Sequence, residues 1–94
     1  MPPTIRPRGM VACAAATPTA IFPTACLLCT VVVIASGSAI GTIYDNATAA
    51  NGTKLLVIPA NTAVGTVYDI WLPCANGLYF DGITSSPAIN VSIG

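Results

Sequence analysis

The sequence predicts a small all-β protein, an antiparallel β-sandwich or barrel with an extended N-terminal arm. Short apolar segments recur between turn signals, and two Asn-Gly pairs favour the positive φ angles of tight hairpin turns. No stretch shows the 3.6-residue period of an amphipathic helix. The 94 residues leave room for one domain. We therefore expect a single β-sandwich or barrel body.

The chain divides into an arm, residues 1–23, and a body, residues 24–94. Five of the eight prolines lie in the arm, where their fixed φ angle and missing N–H oppose regular structure. We expect the arm to be extended, with at most a short strand near Met10 to Ala16.

The body reads as a series of short strands. Cys26 to Ala35 is a nearly continuous apolar run, which is typical of a strand buried on both faces. Ala39 to Asp45 and Lys54 to Ile58 flank a polar loop that closes on Asn51-Gly52, a pattern that predicts a hairpin. The remaining predicted strands are Gly65 to Leu72, Leu78 to Phe80 and Ala88 to Ile93.

Period-two alternation in two of these strands predicts which side chains are buried. The side chains expected to face a shared core are Tyr68, Ile70, Leu72, Ile89, Val91 and Ile93. Val67, Asp69 and Trp71 should lie on the opposite face of their strand. The segment Gly41 to Asp45 recurs almost unchanged as Gly65 to Asp69. Two copies do not make a repeat architecture, so we interpret them as two strands with similar packing needs.

The composition predicts that part of the apolar surface contacts another chain. Hydrophobic residues make up 54% of the sequence and charged residues only 6%, whereas a soluble domain typically carries about 25% charged residues. One small core cannot hide this much apolar surface. We expect a homo-oligomer whose arm lies on another subunit. The candidate contacts with other subunits or with a shell are Ile5, Arg6, Arg8, Ile21, Phe22 and Trp71.

A membrane or export segment is the main alternative. The stretch from Ala20 to Ile40 is uncharged and apolar enough to suggest a span, and two arginines precede it. However, Pro18 and Pro23 would interrupt a helix, and the run from Thr30 to Ile34 is β-branched throughout, which favours a strand.

The residue types argue against an enzyme. The chain contains no His, Glu or Gln, so the usual general base is missing, and we expect neither a catalytic site nor a cofactor. The net charge of zero disfavours binding to nucleic acid or anionic lipid. Asp45 and Asn46 could contribute to a calcium site, but Asp is common at turns for structural reasons.

Cys26-Leu27-Leu28-Cys29 has the spacing of a redox pair or of half a zinc site. On a strand, residues three apart point to opposite faces, so these thiols should diverge. We predict that the four cysteines are reduced, buried and free of metal. The alternatives are a disulfide and a zinc site that also uses Cys13 and Cys74.

Two stretches of the body resemble small virion proteins of tailed bacteriophages. They are the run from Gly41 to Pro59, with its Tyr-Asp-Asn hairpin, and the later run of Asn76 to Asp81 followed by Ser86 to Val91. The resemblance covers roughly residues 30–94 and implies a β-sandwich that serves as a capsid cement or decoration protein. It further implies a homotrimer bound to the major capsid protein in the virion. A tail or head–tail joining protein is an alternative virion component.

Overall fold

The computed structural model of this chain describes residues 9–94, which form eight β-strands and no helix. The strands are β1 (Gly9–Cys13), β2 (Thr19–Phe22), β3 (Cys26–Ala35), β4 (Gly41–Tyr44), β5 (Lys54–Ile58), β6 (Val67–Cys74), β7 (Leu78–Phe80) and β8 (Ala88–Ile93). The predicted boundaries of β3, β5, β7 and β8 are confirmed.

Two four-stranded sheets pack against each other. Sheet I has the strand order β1-β8-β3-β6, and sheet II has the order β2-β7-β4-β5. Neighbouring strands in both sheets are antiparallel. The predicted all-β sandwich is therefore confirmed.

The core lies between the sheets and draws side chains from both. Its largest fully buried side chains include Phe80, Leu28, Ile43, Ile58, Leu78 and Ile89. The prediction for β8 is confirmed, because Ile89, Val91 and Ile93 are all buried. Tyr68 and Ile70 of β6 are partly buried and pack against the same cluster.

The prediction that Leu72 belongs to the core is wrong, because 40% of its surface is exposed. Its cross-strand partner, Leu28, is fully buried. The difference arises because β6, within the described residues, lies at the edge of sheet I and has a neighbouring strand on one side only.

The first strands of the chain belong to the sandwich. β1 pairs with β8 in sheet I, and β2 pairs with β7 in sheet II. Cys13 and Ile21 are buried in the common core. The expected boundary between residues 23 and 24 therefore does not separate an arm from a body in residues 9–94. The physical reason is that each of these short strands forms its backbone hydrogen bonds with a strand that is distant in the sequence. The local sequence of residues 9–23 does not indicate that pairing.

The predicted hairpin between β4 and β5 is confirmed, but residues 45–53 form a loop instead of a tight Asn-Gly turn, because Gly52 has a positive φ and Asn51 does not. The N–H of Asp45 donates to the carbonyl oxygen of Thr53 at 2.8 Å, which closes the loop. Gly52 has a φ of 91°, which a residue without Cβ adopts at little cost. Within the loop, the Asn46 side chain accepts hydrogen bonds from the N–H groups of Thr48 and Ala49.

Candidate interaction surface

The six candidate contact residues differ in their exposure to solvent, and three of them lie outside the described residues. Ile5, Arg6 and Arg8 lie outside the described residues. Ile21 is only 6% exposed and belongs to the core, so its assignment as a contact residue is wrong. Phe22 is partly buried and packs against that core. Trp71 remains 45% exposed and is the candidate whose side chain is available to a partner.

Exposed apolar side chains accumulate along β6 and the loop that leads into it. The β6 patch, as we call this group, consists of Val64, Val67, Trp71 and Leu72, whose exposed fractions range from 40% to 64%. In residues 9–94, β6 pairs only with β3, so its other edge has no neighbouring strand. Apolar groups concentrated at one edge are typical of an interaction site.

The outer face of sheet I continues from Val67 of this patch, whereas Leu72 lies on the core-facing side of β6 with its partner Leu28. Cross-strand pairing places the residues of the outer face in two rows, Ala12–Asn90–Val32–Val67 and Met10–Ser92–Thr30–Asp69. The alternate row, which includes Val31 and Val91, faces the core instead. Asp69 is the one charged residue in the two outer rows. This face can therefore pack against another chain without removing many charges from water.

A β-bulge shapes the middle of β6. Leu28 pairs with Leu72 and Thr30 pairs with Asp69, so two residues of β6 stand opposite Cys29. One of these two residues is Trp71, which has a φ of 53°. A positive φ is rare for a bulky aromatic residue and costs conformational energy. The bulge thus holds the aromatic ring of Trp71 at a partly exposed position on the edge.

Three features of β6 oppose the addition of another strand to its edge. They are the charge of Asp69, the bulge at Trp71 and the missing N–H of Pro73. Natural sheets use such features to prevent uncontrolled edge-to-edge pairing. A partner is therefore expected to contact the side chains of the β6 patch rather than the backbone of β6.

Two of the three aspartates have structural roles. The Asp45 carboxylate accepts hydrogen bonds from the backbone N–H groups of Asn76 at 2.8 Å and Ala75 at 3.1 Å, which ties the β4–β5 hairpin to the turn before β7. These bonds hold the pKa of Asp45 below its usual value of 3.8. The Asp81 carboxylate accepts the N–H of Thr42 at 3.1 Å.

The structure brings together two cysteines that the Cys-x-x-Cys spacing does not connect. Cys26 begins β3 and is the cross-strand partner of Cys74, the last residue of β6. Their Sγ atoms are 2.8 Å apart. Cys13 and Cys29 are buried elsewhere. Within residues 9–94, no three cysteine or acidic side chains converge as ligands for a metal ion.

No helix in the described part of the chain has the length and apolar character needed to cross a membrane. Comparisons with protein-family models, with curated proteins and with solved structures found no match.

Proposed function

We propose that this chain is a structural protein of a virion, a capsid cement or decoration protein that binds the major capsid protein and stabilises the shell. The observation that carries the proposal is the β6 patch on a compact sandwich whose surface has very few charges. The resemblance of residues 30–94 to small virion proteins of tailed bacteriophages supports the same function.

The patch has the chemistry of a permanent protein contact. Trp71 is a residue type that often dominates the energy of an interface, and Val64, Val67 and Leu72 surround it in the sequence with further apolar surface. Contacts of this kind depend little on ion pairs, so they persist at high salt, where exposed charges are screened. A shell component benefits from such contacts because it stays bound without exchange.

The proposal includes a homo-oligomer, with the trimer number taken from the resemblance. A domain with 6% charged residues protects itself poorly against self-association. Sedimentation equilibrium of the purified chain should give the mass of three chains. A monomer at all accessible concentrations would contradict this part of the proposal.

The direct test of location is quantitative mass spectrometry of purified particles made by the genome that encodes this chain. A cement protein should be present at a copy number comparable with that of the major capsid protein. A copy number far below that value would instead favour a tail or head–tail joining protein, and absence from the particles would reject a virion function.

A double variant and a control variant test whether the β6 patch contacts the particle. Val67→Ser with Trp71→Asn removes apolar surface, while Asn tolerates the positive φ at position 71. Val57→Ser is the matched control, because Val57 is 44% exposed on β5, in the other sheet. We expect the double variant to bind particles about 30-fold more weakly, and the control to bind normally. Equal binding of both variants would show that the patch is not the contact.

A further inference from the structure

The end of β3 and the end of β6 place two thiols in direct contact. Cys26 and Cys74 are cross-strand partners, and their Sγ atoms are separated by 2.8 Å. The Cys74 thiol also donates a hydrogen bond to the carbonyl oxygen of Cys26 at 3.0 Å. Directly opposed residues in antiparallel strands have Cα atoms about 4.5–5.5 Å apart, which lies within the range that disulfides span.

We propose that Cys26 and Cys74 are a site of oxidative cross-linking and form an intrachain disulfide when the protein meets a small-molecule disulfide. The two sulfurs need to approach by about 0.8 Å to reach a bond length of about 2.05 Å. This assignment goes beyond the proposed function and holds for any partner of the β6 patch. All four cysteines carry free thiols in the structure, and the proposal concerns the response of Cys26 and Cys74 to an oxidant.

The reaction is a thiol–disulfide exchange in two steps. Cys26, which is partly exposed, attacks one sulfur of the oxidant as a thiolate and releases the first small thiol. Cys74, which is 3% exposed and already in contact, then attacks the Cys26 sulfur and releases the second small thiol. The two cysteine protons pass to the two released thiolates. One oxidant disulfide is reduced, and one protein disulfide forms.

The other two cysteines are protected from the same reaction. Cys13 is 1% exposed, and burial raises its pKa to about 11, although a hydrogen bond with Thr19 lowers it slightly. Burial also raises the pKa of Cys29, which is fully enclosed. Because the thiolate is the reactive form, both thiols should remain unmodified at neutral pH.

The cross-link would strengthen a weak part of sheet I. Only three residue pairs join β3 and β6 beyond the bulge. Among residues 9–94, β6 has no second neighbouring strand to hold this end. A disulfide at the last pair would fix the end of the strand that carries the β6 patch.

The chain offers a simple peptide map for the test. Trypsin cleavage after Arg8 and Lys54 places Cys74 alone in the peptide of residues 55–94 and the other three cysteines in the peptide of residues 9–54. After treatment of the native protein with oxidised glutathione, the two peptides should be joined without reduction, and two of the four thiols should remain. Fragmentation of the joined peptides should assign the bond to Cys26.

Variants and stability provide the controls. Cys26→Ser and Cys74→Ser should each abolish the joined peptides, whereas Cys29→Ala and Cys13→Ala should retain them. Oxidation of the wild-type protein should raise the Tm by about 10 °C or more, and reduction should reverse the rise. Four reactive thiols after oxidation, stable glutathione adducts alone, a bond to Cys13 or Cys29, or a cross-link between chains would each overturn the proposal.

Discussion

The segments Gly41–Asp45 and Gly65–Asp69 differ at one position, yet they occupy opposite environments. The first forms β4, where Ile43 is fully buried between β5 and β7 in sheet II. The second leads into β6 at the edge of sheet I, where Val67, the equivalent residue, is 55% exposed. The same local sequence therefore supports a core strand and an edge strand.

The difference shows that alternation of apolar and polar residues predicts a strand, but it does not predict which face of the strand is buried or which strands lie beside it. Ile43 faces the core, whereas Val67 lies in an outer row of sheet I and on a strand at the edge of that sheet. The glycines that begin the two segments, Gly41 and Gly65, also have different surroundings, and so do the aspartates that end them, Asp45 and Asp69. The same substitution at equivalent positions of the two segments therefore compares one residue type in two environments.

The largest difference is expected for the central apolar residue. Ile43→Ala should lower the free energy of unfolding by about 2–5 kcal/mol, because it leaves a cavity in the core. Val67→Ala should change it by less than about 0.5 kcal/mol, because the side chain is largely exposed. Urea unfolding of both variants measures the contrast, and similar losses at the two positions would contradict the assigned burial.

Substitution by Ala and by Asn should destabilise the protein in opposite order at the two glycines, with Asn worse than Ala at Gly41 and better than Ala at Gly65. A Cβ on Gly41 would lie 3.0 Å from Phe80 and 3.1 Å from Pro87, so Gly41→Ala should cost about 1–3 kcal/mol and Gly41→Asn more. Gly65 has a φ of 88° and open space around it, so Gly65→Ala should cost about 1 kcal/mol. Gly65→Asn should cost less than Gly65→Ala, because Asn tolerates positive φ. Thermal unfolding gives the order, and the same order at both sites would refute the distinction.

The contribution of Asp45 to stability should depend on pH. The pKa of Asp45 is lower in the folded chain than in the unfolded chain, so its stabilising contribution is present above the unfolded pKa and is lost as pH falls through the folded pKa. Asp45→Asn should therefore lower the Tm at pH 7, and the difference from the wild type should shrink below about pH 4.

Asp69→Asn is the matched control, since Asp69 is exposed on the edge strand. It should change the free energy of unfolding at pH 7 by less than about 0.5 kcal/mol. A loss as large as that of Asp45→Asn, or a loss at Asp45 that does not depend on pH, would contradict the assigned hydrogen bonds.

Much of the fold could be predicted from the sequence because its strands have strong local patterns. β8 alternates cleanly, β3 is a β-branched run, and the β4–β5 turn has an Asn-Gly pair. β2 was missed because its four residues lack such a pattern and their pairing partner, β7, lies far along the chain. Short strands of this kind are specified by tertiary contacts rather than by propensity.

The candidate site was predicted only in part. Alternation placed Val67, Asp69 and Trp71 on an outward face, and Val67 and Trp71 belong to the β6 patch. The exposure of Leu72 and the contact between Cys26 and Cys74 depend on the register of β6 against β3. A bulge in that register leaves no signal in the spacing of apolar residues, so the sequence alone could not show either feature.

The proposed function requires that another chain covers the β6 patch. Trp71 is the single tryptophan of the sequence, so 5-hydroxytryptophan incorporated there reports on the patch alone, even among other proteins. Acrylamide quenching of this fluorophore should be strong in the free chain, where Trp71 is 45% exposed, and much weaker in the particle-bound protein. Equal quenching in the free and bound protein would contradict the claim.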